Sequence, residues 1–77
     1  MKIYLIKTKK EEAEVGYDEY DGHVIVANTE QEARALCPNG DEGKATWDSS
    51  EYSTCEELGE TTKFNEPSVL LSSYNAG

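Results

Sequence analysis

The sequence predicts an α+β domain: a small, mainly antiparallel sheet of three to four strands, in the chain order β-β-α-β-β, with one short helix packed on one face. Three observations predict it. Short β-favouring runs open and close the chain, KIYLIK at residues 2–7 and VLLSSY at 69–74. A third run, HVIVA, leads into a stretch that carries helix start and stop signals. Polar, glycine-bearing segments separate the runs, so the elements are short and the turns frequent.

The first strand, Lys2 to Lys7, is apolar on both faces, Ile3 and Leu5 on one and Tyr4 and Ile6 on the other. That pattern suits a central strand, or a face closed by a second subunit. Thr8 to Asp21 is too charged to bury and reads as a loop, with Tyr17 and Tyr20 as its pins. In His23 to Ala27, Val24 and Val26 share one face and His23, Ile25 and Ala27 the other. Thr29 then supplies an N-cap with Glu32 three residues on, a capping box. Glu30 and Glu32 suit the positive end of the helix dipole. Ala33, Leu36 and Cys37 form a narrow apolar stripe, and Pro38 stops the helix. About two turns is too short to stand alone in water, so packing on the sheet must hold it.

Residues 41–53 read as irregular and acidic, anchored by Trp47 and Tyr52. A lone tryptophan in so short a chain is a core or loop anchor before it is a contact, because it has so much area to bury. Ser53 to Glu60 is a weak strand with Cys55 and Leu58 turned inward, ended or bent by Gly59. A turn region with Pro67 leads to the last strand. Strands one, two and four are the most apolar and are expected at the sheet centre. Should strands two and three run the same way, the helix is their crossover.

At 77 residues the chain is expected to form a single domain, residues 1–77, with a thin core. Only 36% of it is apolar, and small chains with little core often add a disulfide, a metal or a second subunit. Sixteen acids against seven bases leave a net charge of −9. Phosphate binding needs clustered lysine and arginine, so direct binding to nucleic acid or an anionic membrane is excluded as an expectation. The cluster Lys7, Lys9 and Lys10 is followed at once by Glu11, Glu12 and Glu14. A basic protein surface is the charge-matched partner; the plain alternative is that acidity serves solubility. No apolar run spans a membrane and no signal-type segment is read at the start, so a cytoplasmic setting with free Cys37 and Cys55 thiols is expected.

Five features together resemble a family of small uncharacterised proteins encoded by phages, prophages and some bacteria. They are the box Tyr17-Asp18-Glu19-Tyr20-Asp21, the strand His23 to Ala27 with the Glu30–Pro38 helix, Trp47, Leu58-Gly59-Glu60, and the terminal Ser73-Tyr74-Asn75-Ala76-Gly77. The resemblance runs almost end to end and is most specific at the Tyr-Asp box and the terminus. It departs at Cys37, where the family is expected to favour histidine, and in the 41–53 insert. It implies a phage-type setting and brings no activity or catalytic residue with it.

The residues themselves point away from catalysis. One histidine and no C-x-x-C cannot build a structural zinc site, and the Asp18–Asp21 acids lack the closing ligand of a calcium loop. Cys37 sits at a helix C-terminus, which raises a thiol pKa, so it reads as a buried apolar residue. Ser72 and Ser73 have no histidine–acid partner by motif, and no phosphate loop occurs. The expectation is no enzyme, no metal and no cofactor. It is instead a protein that binds another protein, blocking a basic, nucleic-acid-binding surface of a host defence or nucleic-acid-processing factor. Tyr17, Asp18, Glu19, Tyr20 and Asp21 are the first candidates for the contact. Asp41, Glu42, Trp47, Glu56 and Glu57 come second. Asp18, Asp21, Ser73 and Asn75, short polar residues near strand ends, suit turn closure before contact, their side chains bonding backbone N–H groups. The alternatives are a small-molecule module, holding a nucleotide-like ligand within a homodimer, and a structural role in virion assembly.

Overall fold

The computed structural model describes residues 1–11 and 14–75. Four strands form one antiparallel sheet: β1 (Lys2–Thr8), β2 (Glu19–Ala27), β3 (Ser53–Glu60) and β4 (Ser68–Asn75). Between β2 and β3 come two short helices, α1 (Glu30–Leu36) and α2 (Lys44–Asp48). The domain is therefore α+β, in the order β-β-α-α-β-β. The second helix is a correction, since residues 41–53 read as irregular. The sequence signals for α2 are weak. Its N-cap is Gly43 at φ 81°, with no side-chain cap, and burial of Trp47 holds the turn in place. Glu12, Ala76 and Gly77 lie outside the described residues.

The strand order is β3-β1-β2-β4. β1 pairs with β2 from Lys2↔Ala27 to Lys7↔Gly22, and with β3 from Lys2↔Glu60 to Thr8↔Ser53. β2 and β3 are both antiparallel to β1, so they run the same way and the two helices cross over β1 to join them. β4 lies at an edge, not at the centre as its apolar run suggested. The reason is topological: β1 lies between β2 and β3, β2 lies beside β1, and β4 adds at the outer side of β2. Residues 61–67 carry the chain from one sheet edge to the other, and Thr61 exchanges backbone hydrogen bonds with Met1 on the way (2.9 and 3.1 Å).

The core lies on the helix side of the sheet. Tyr4 and Ile6 of β1 and Ile25 and Ala27 of β2 pack against Ala33, Cys37 and Trp47, with Tyr20 and Cys55 at its margin. Thr29 caps α1 as read, its Oγ1 accepting from Glu32 N at 3.1 Å; the return bond of the capping box falls one residue earlier than expected, Glu32 Oε1 accepting from Asn28 N at 2.8 Å. The expected stripe is corrected at Leu36, which is exposed, while Arg34 is buried in its place. A seven-residue helix buries a narrow strip, and residues 33, 34 and 37 fill it. Leu58, expected inward, is exposed, because a bulge between Ile3 and Tyr4 leaves it without a partner on β1.

Candidate functional site

The acidic box lies at the sheet end where β1 and β3 meet as Thr8↔Ser53 and β2 and β4 meet as Glu19↔Asn75. Asp18 adopts a left-handed backbone conformation, φ 60°, which aspartate tolerates better than most residues. It is held there from several sides. Its N–H donates to the Asn75 carbonyl at 2.6 Å, and its carbonyl accepts from Asp41 N at 2.8 Å. Its carboxylate accepts from the Tyr74 hydroxyl at 3.1 Å. Asn75 Nδ2 donates to the Gly16 and Val15 carbonyls at 3.0 and 3.3 Å. Glu19 Oε1 accepts from Gly16 N at 2.6 Å and from Lys10 Nζ at 3.0 Å. Those two donors, the Gly16 amide first, hold the Glu19 carboxyl below its ordinary range.

Glu42 is a brace from within. Its carboxylate accepts from Tyr20 N at 2.7 Å and from Gly40 N at 2.7 and 3.0 Å, locking the segment before α2 onto the start of β2. Gly40 passes against the Asp18 carbonyl so closely that a Cβ would collide with that oxygen. Gly40→Ala is thus expected to cost about 1–3 kcal/mol and to loosen this end of the sheet first. Urea unfolding checks the cost, and amide exchange at Asp18 and Asp41 checks its location. A variant as stable as the parent would mean that the close approach relaxes freely.

Of the ten candidate residues, these contacts consume several. Tyr17 is 74% exposed, and Asp18 and Asp41 are exposed beside it. Glu19, Tyr20, Asp21 and Glu42 are half-buried. The Tyr20 ring stacks obliquely on Tyr74 and His23, at 4.7 and 4.8 Å between centroids. Trp47 is wholly buried and presents no surface to a partner, which corrects its place among the contact candidates. Glu56 and Glu57 lie on β3, the opposite edge from β4, and do not join the box. Glu57 pairs there with Lys2 at 3.3 Å. The acids thus do not form one patch. The exposed group is Tyr17, Asp18 and Asp41.

Beneath the box lies a polar element that the motifs missed. His23 is 1% exposed, with Nδ1 2.6 Å from Ser72 Oγ and its ring edge-on to Trp47 at 4.6 Å. Ser72 therefore has the histidine partner that the sequence did not suggest, through the register pair His23↔Ser72. The bond satisfies one nitrogen of the buried imidazole, Nδ1. Among the described residues, neither the second ring nitrogen, Nε2, nor Trp47 Nε1 has a hydrogen-bond partner.

Burial holds the His23 pKa below its ordinary 6.5, against the opposing pull of Glu42 and the Pro38 carbonyl. A depressed folded-state value means that the neutral ring's contribution to stability is fully present above pH 6.5 and is lost as the pH falls from there through the folded value. His23 is the only histidine, so the urea midpoint is expected to fall between about pH 7 and about pH 5.5, before the bulk of the carboxylates titrate. His23→Gln should flatten that window. A flat wild-type profile would show that the ring takes up a proton without penalty.

Cys37 is buried, with its thiol pushed up to about 12 chiefly by desolvation, and it donates weakly to the Ala33 carbonyl at 3.5 Å. Cys55 is half-buried and likewise raised by burial, so neither thiol is activated as a nucleophile. Among the described residues, no group of three or more His, Cys, Asp and Glu stands close enough to hold a metal ion. No helix among them is long and apolar enough to cross a membrane. A groove of about 620 Å³ between α1 and α2 lies away from the box, and its charges Glu30–Arg34 and Lys44–Asp48 pair with one another.

Fold and site together define a small acidic α+β domain with an exposed tyrosine on a firmly held acidic turn. No protein-family model matches the chain, and neither a curated protein nor a solved structure matches it.

Proposed function

We propose that this is a phage-type accessory protein that works in the host cytoplasm by binding another protein. Its acidic end occupies a basic, nucleic-acid-binding surface of a host defence or nucleic-acid-processing factor. The action is steric and electrostatic, without catalysis. One observation carries the reading: Tyr17 is 74% exposed on a turn whose backbone is tied to Asn75 and Asp41. A turn whose backbone is already held has less of its own ordering to supply on binding. The neighbouring Asp18 and Asp41 carboxylates suit arginine or lysine on a partner, and the −9 charge favours encounter with a basic surface.

The test is affinity capture from bacterial lysate with the immobilised chain, at about 0.05 M and about 0.5 M salt. The captured protein should be lost at high salt, displaced by added duplex DNA or by RNA, and lost with Tyr17→Ala combined with Asp41→Lys. Both positions are exposed, so the variant should keep the parent's unfolding midpoint. Capture that ignores salt, or that survives the double substitution, would sink the reading.

A further inference from the structure

β4 is an edge strand of an unusual kind for this chain. Among the described residues, four of the eight exposed large hydrophobics lie on it: Val69 (39%), Leu70 (40%), Leu71 (67%) and Tyr74 (46%). The register explains how they are spread. Val69 pairs with Ile25 and so faces the helix side; Leu71 pairs with Val24 and faces the other; Leu70 is the bulged residue between them. β4 is thus apolar on both faces, yet neither helix packs on it as they pack on β1, β2 and β3. A free edge also presents a row of backbone N–H and C=O groups ready to pair.

Natural edges are blunted by charge. The other edge obeys this: β3 carries Glu56, Glu57 and Glu60. β4, SVLLSSYN, carries no charge at all, in a chain of net charge −9. The Asn75 end is closed by the Val15–Gly16 turn, and among the described residues no strand pairs with the outer side of residues 68–73.

We propose that β4 pairs antiparallel with β4 of a second copy about a two-fold axis beside Leu71, joining two sheets into one of eight strands. Self-pairing uses the same patch twice, so what it needs is a surface without like-charge repulsion, and this edge meets that need where the β3 edge does not. The axis sets the two Leu71 side chains against each other. About six paired residues, with side chains on both faces, bury roughly 1,000 Å² in total, the low end for a specific interface, so the dimer is reversible and micromolar. This surface is separate from the Tyr17 turn.

The experiment is sedimentation equilibrium of the full chain across a micromolar-to-millimolar range, with amide exchange read at low and high concentration. The expected result is a reversible species of twice the 8.6 kDa chain mass, with β4 amides protected only at high concentration. Salt should tighten it several-fold, because it screens the repulsion between two −9 chains. That response is opposite to the one expected for the acidic turn, so failure of one reading is distinguishable from failure of the other. Leu70→Lys with Leu71→Lys should give a monomer with an unchanged unfolding midpoint, since both side chains are exposed. Leu5→Lys, two strands away, should leave the dimer intact. A chain that stays monomeric at millimolar concentration overturns the proposal. So does a dimer that Leu5→Lys breaks and the β4 pair does not, which would place the contact on the open sheet face. So does a monomer that captures a different protein through β4.

Discussion

Trp47→Ala is expected to cost about 3–5 kcal/mol and to lower the unfolding midpoint sharply. The indole is wholly buried between α2 and the sheet, edge-on to His23 at 4.6 Å. A chain of 77 residues has roughly 4–12 kcal/mol of total stability, so this one cavity consumes much of it. α2 has no side-chain N-cap and only five residues, so it has little else to keep it folded. Urea unfolding followed by far-ultraviolet circular dichroism measures the effect. Trp47→Phe should recover more than half of it, because the lost term is packing: Nε1 makes no hydrogen bond in the core. Equal losses from Phe and Ala would instead assign the effect to the indole N–H.

Arg34→Ala is expected to cost about 2–5 kcal/mol, well above the usual worth of an exposed ion pair. Arg34 is 7% exposed. Its Nη1 donates to the Trp47 carbonyl at 3.1 Å and to Ser53 Oγ at 2.7 Å, and its Nε to Glu30 Oε2 at 2.9 Å. One guanidinium thus joins α1, α2 and β3. Removing it strands buried acceptors at about 1–3 kcal/mol each. Lysine cannot reproduce the fork, so Arg34→Lys should recover less than half of the loss. A double-mutant cycle with Ser53→Ala measures the coupling. Additive effects would show that the two side chains hold the layers independently.

Arg34 also shows where the sequence stops being legible. Its neighbours Ala33 and Cys37 were readable as the buried side of α1, and Thr29 and Glu32 as its cap, because caps and stripes act over one or two turns. Whether a charged residue next to that stripe is buried depends on what stands opposite. Here that is Trp47 and Ser53, 13 and 19 residues away. Leu36 was misjudged for the same reason. α2 was missed because a five-residue turn opened by glycine has almost no local signal of its own.

The candidate site divides along the same line. Tyr17 and Asp41 could be marked from the sequence as polar or aromatic residues in charged loops. That Glu42 braces Tyr20, and that Tyr74 donates to Asp18, depends on segments brought together from 22 and 56 positions apart. Asp18 is held through its backbone bonds to Asn75 and Asp41 and through the Tyr74 hydroxyl on its carboxylate, and the Tyr17 side chain beside it is outward. The Ser72–His23 hydrogen bond came from strand register alone.

Composition and short-range pattern determined that this chain is acidic and α+β, with β1 and β2 as strands and a capped helix that stops before Pro38. Those properties rest on charge balance, a period of two in the strands and hydrogen bonds between near neighbours. Tertiary structure decided that β4 lies at an edge and not at the centre, that Arg34 and Trp47 are interior, and that the acids at residues 17–21 and 56–57 never meet. Each of these depends on strand order, and strand order is set by which faces can be buried together across the whole chain, a choice that no local stretch contains.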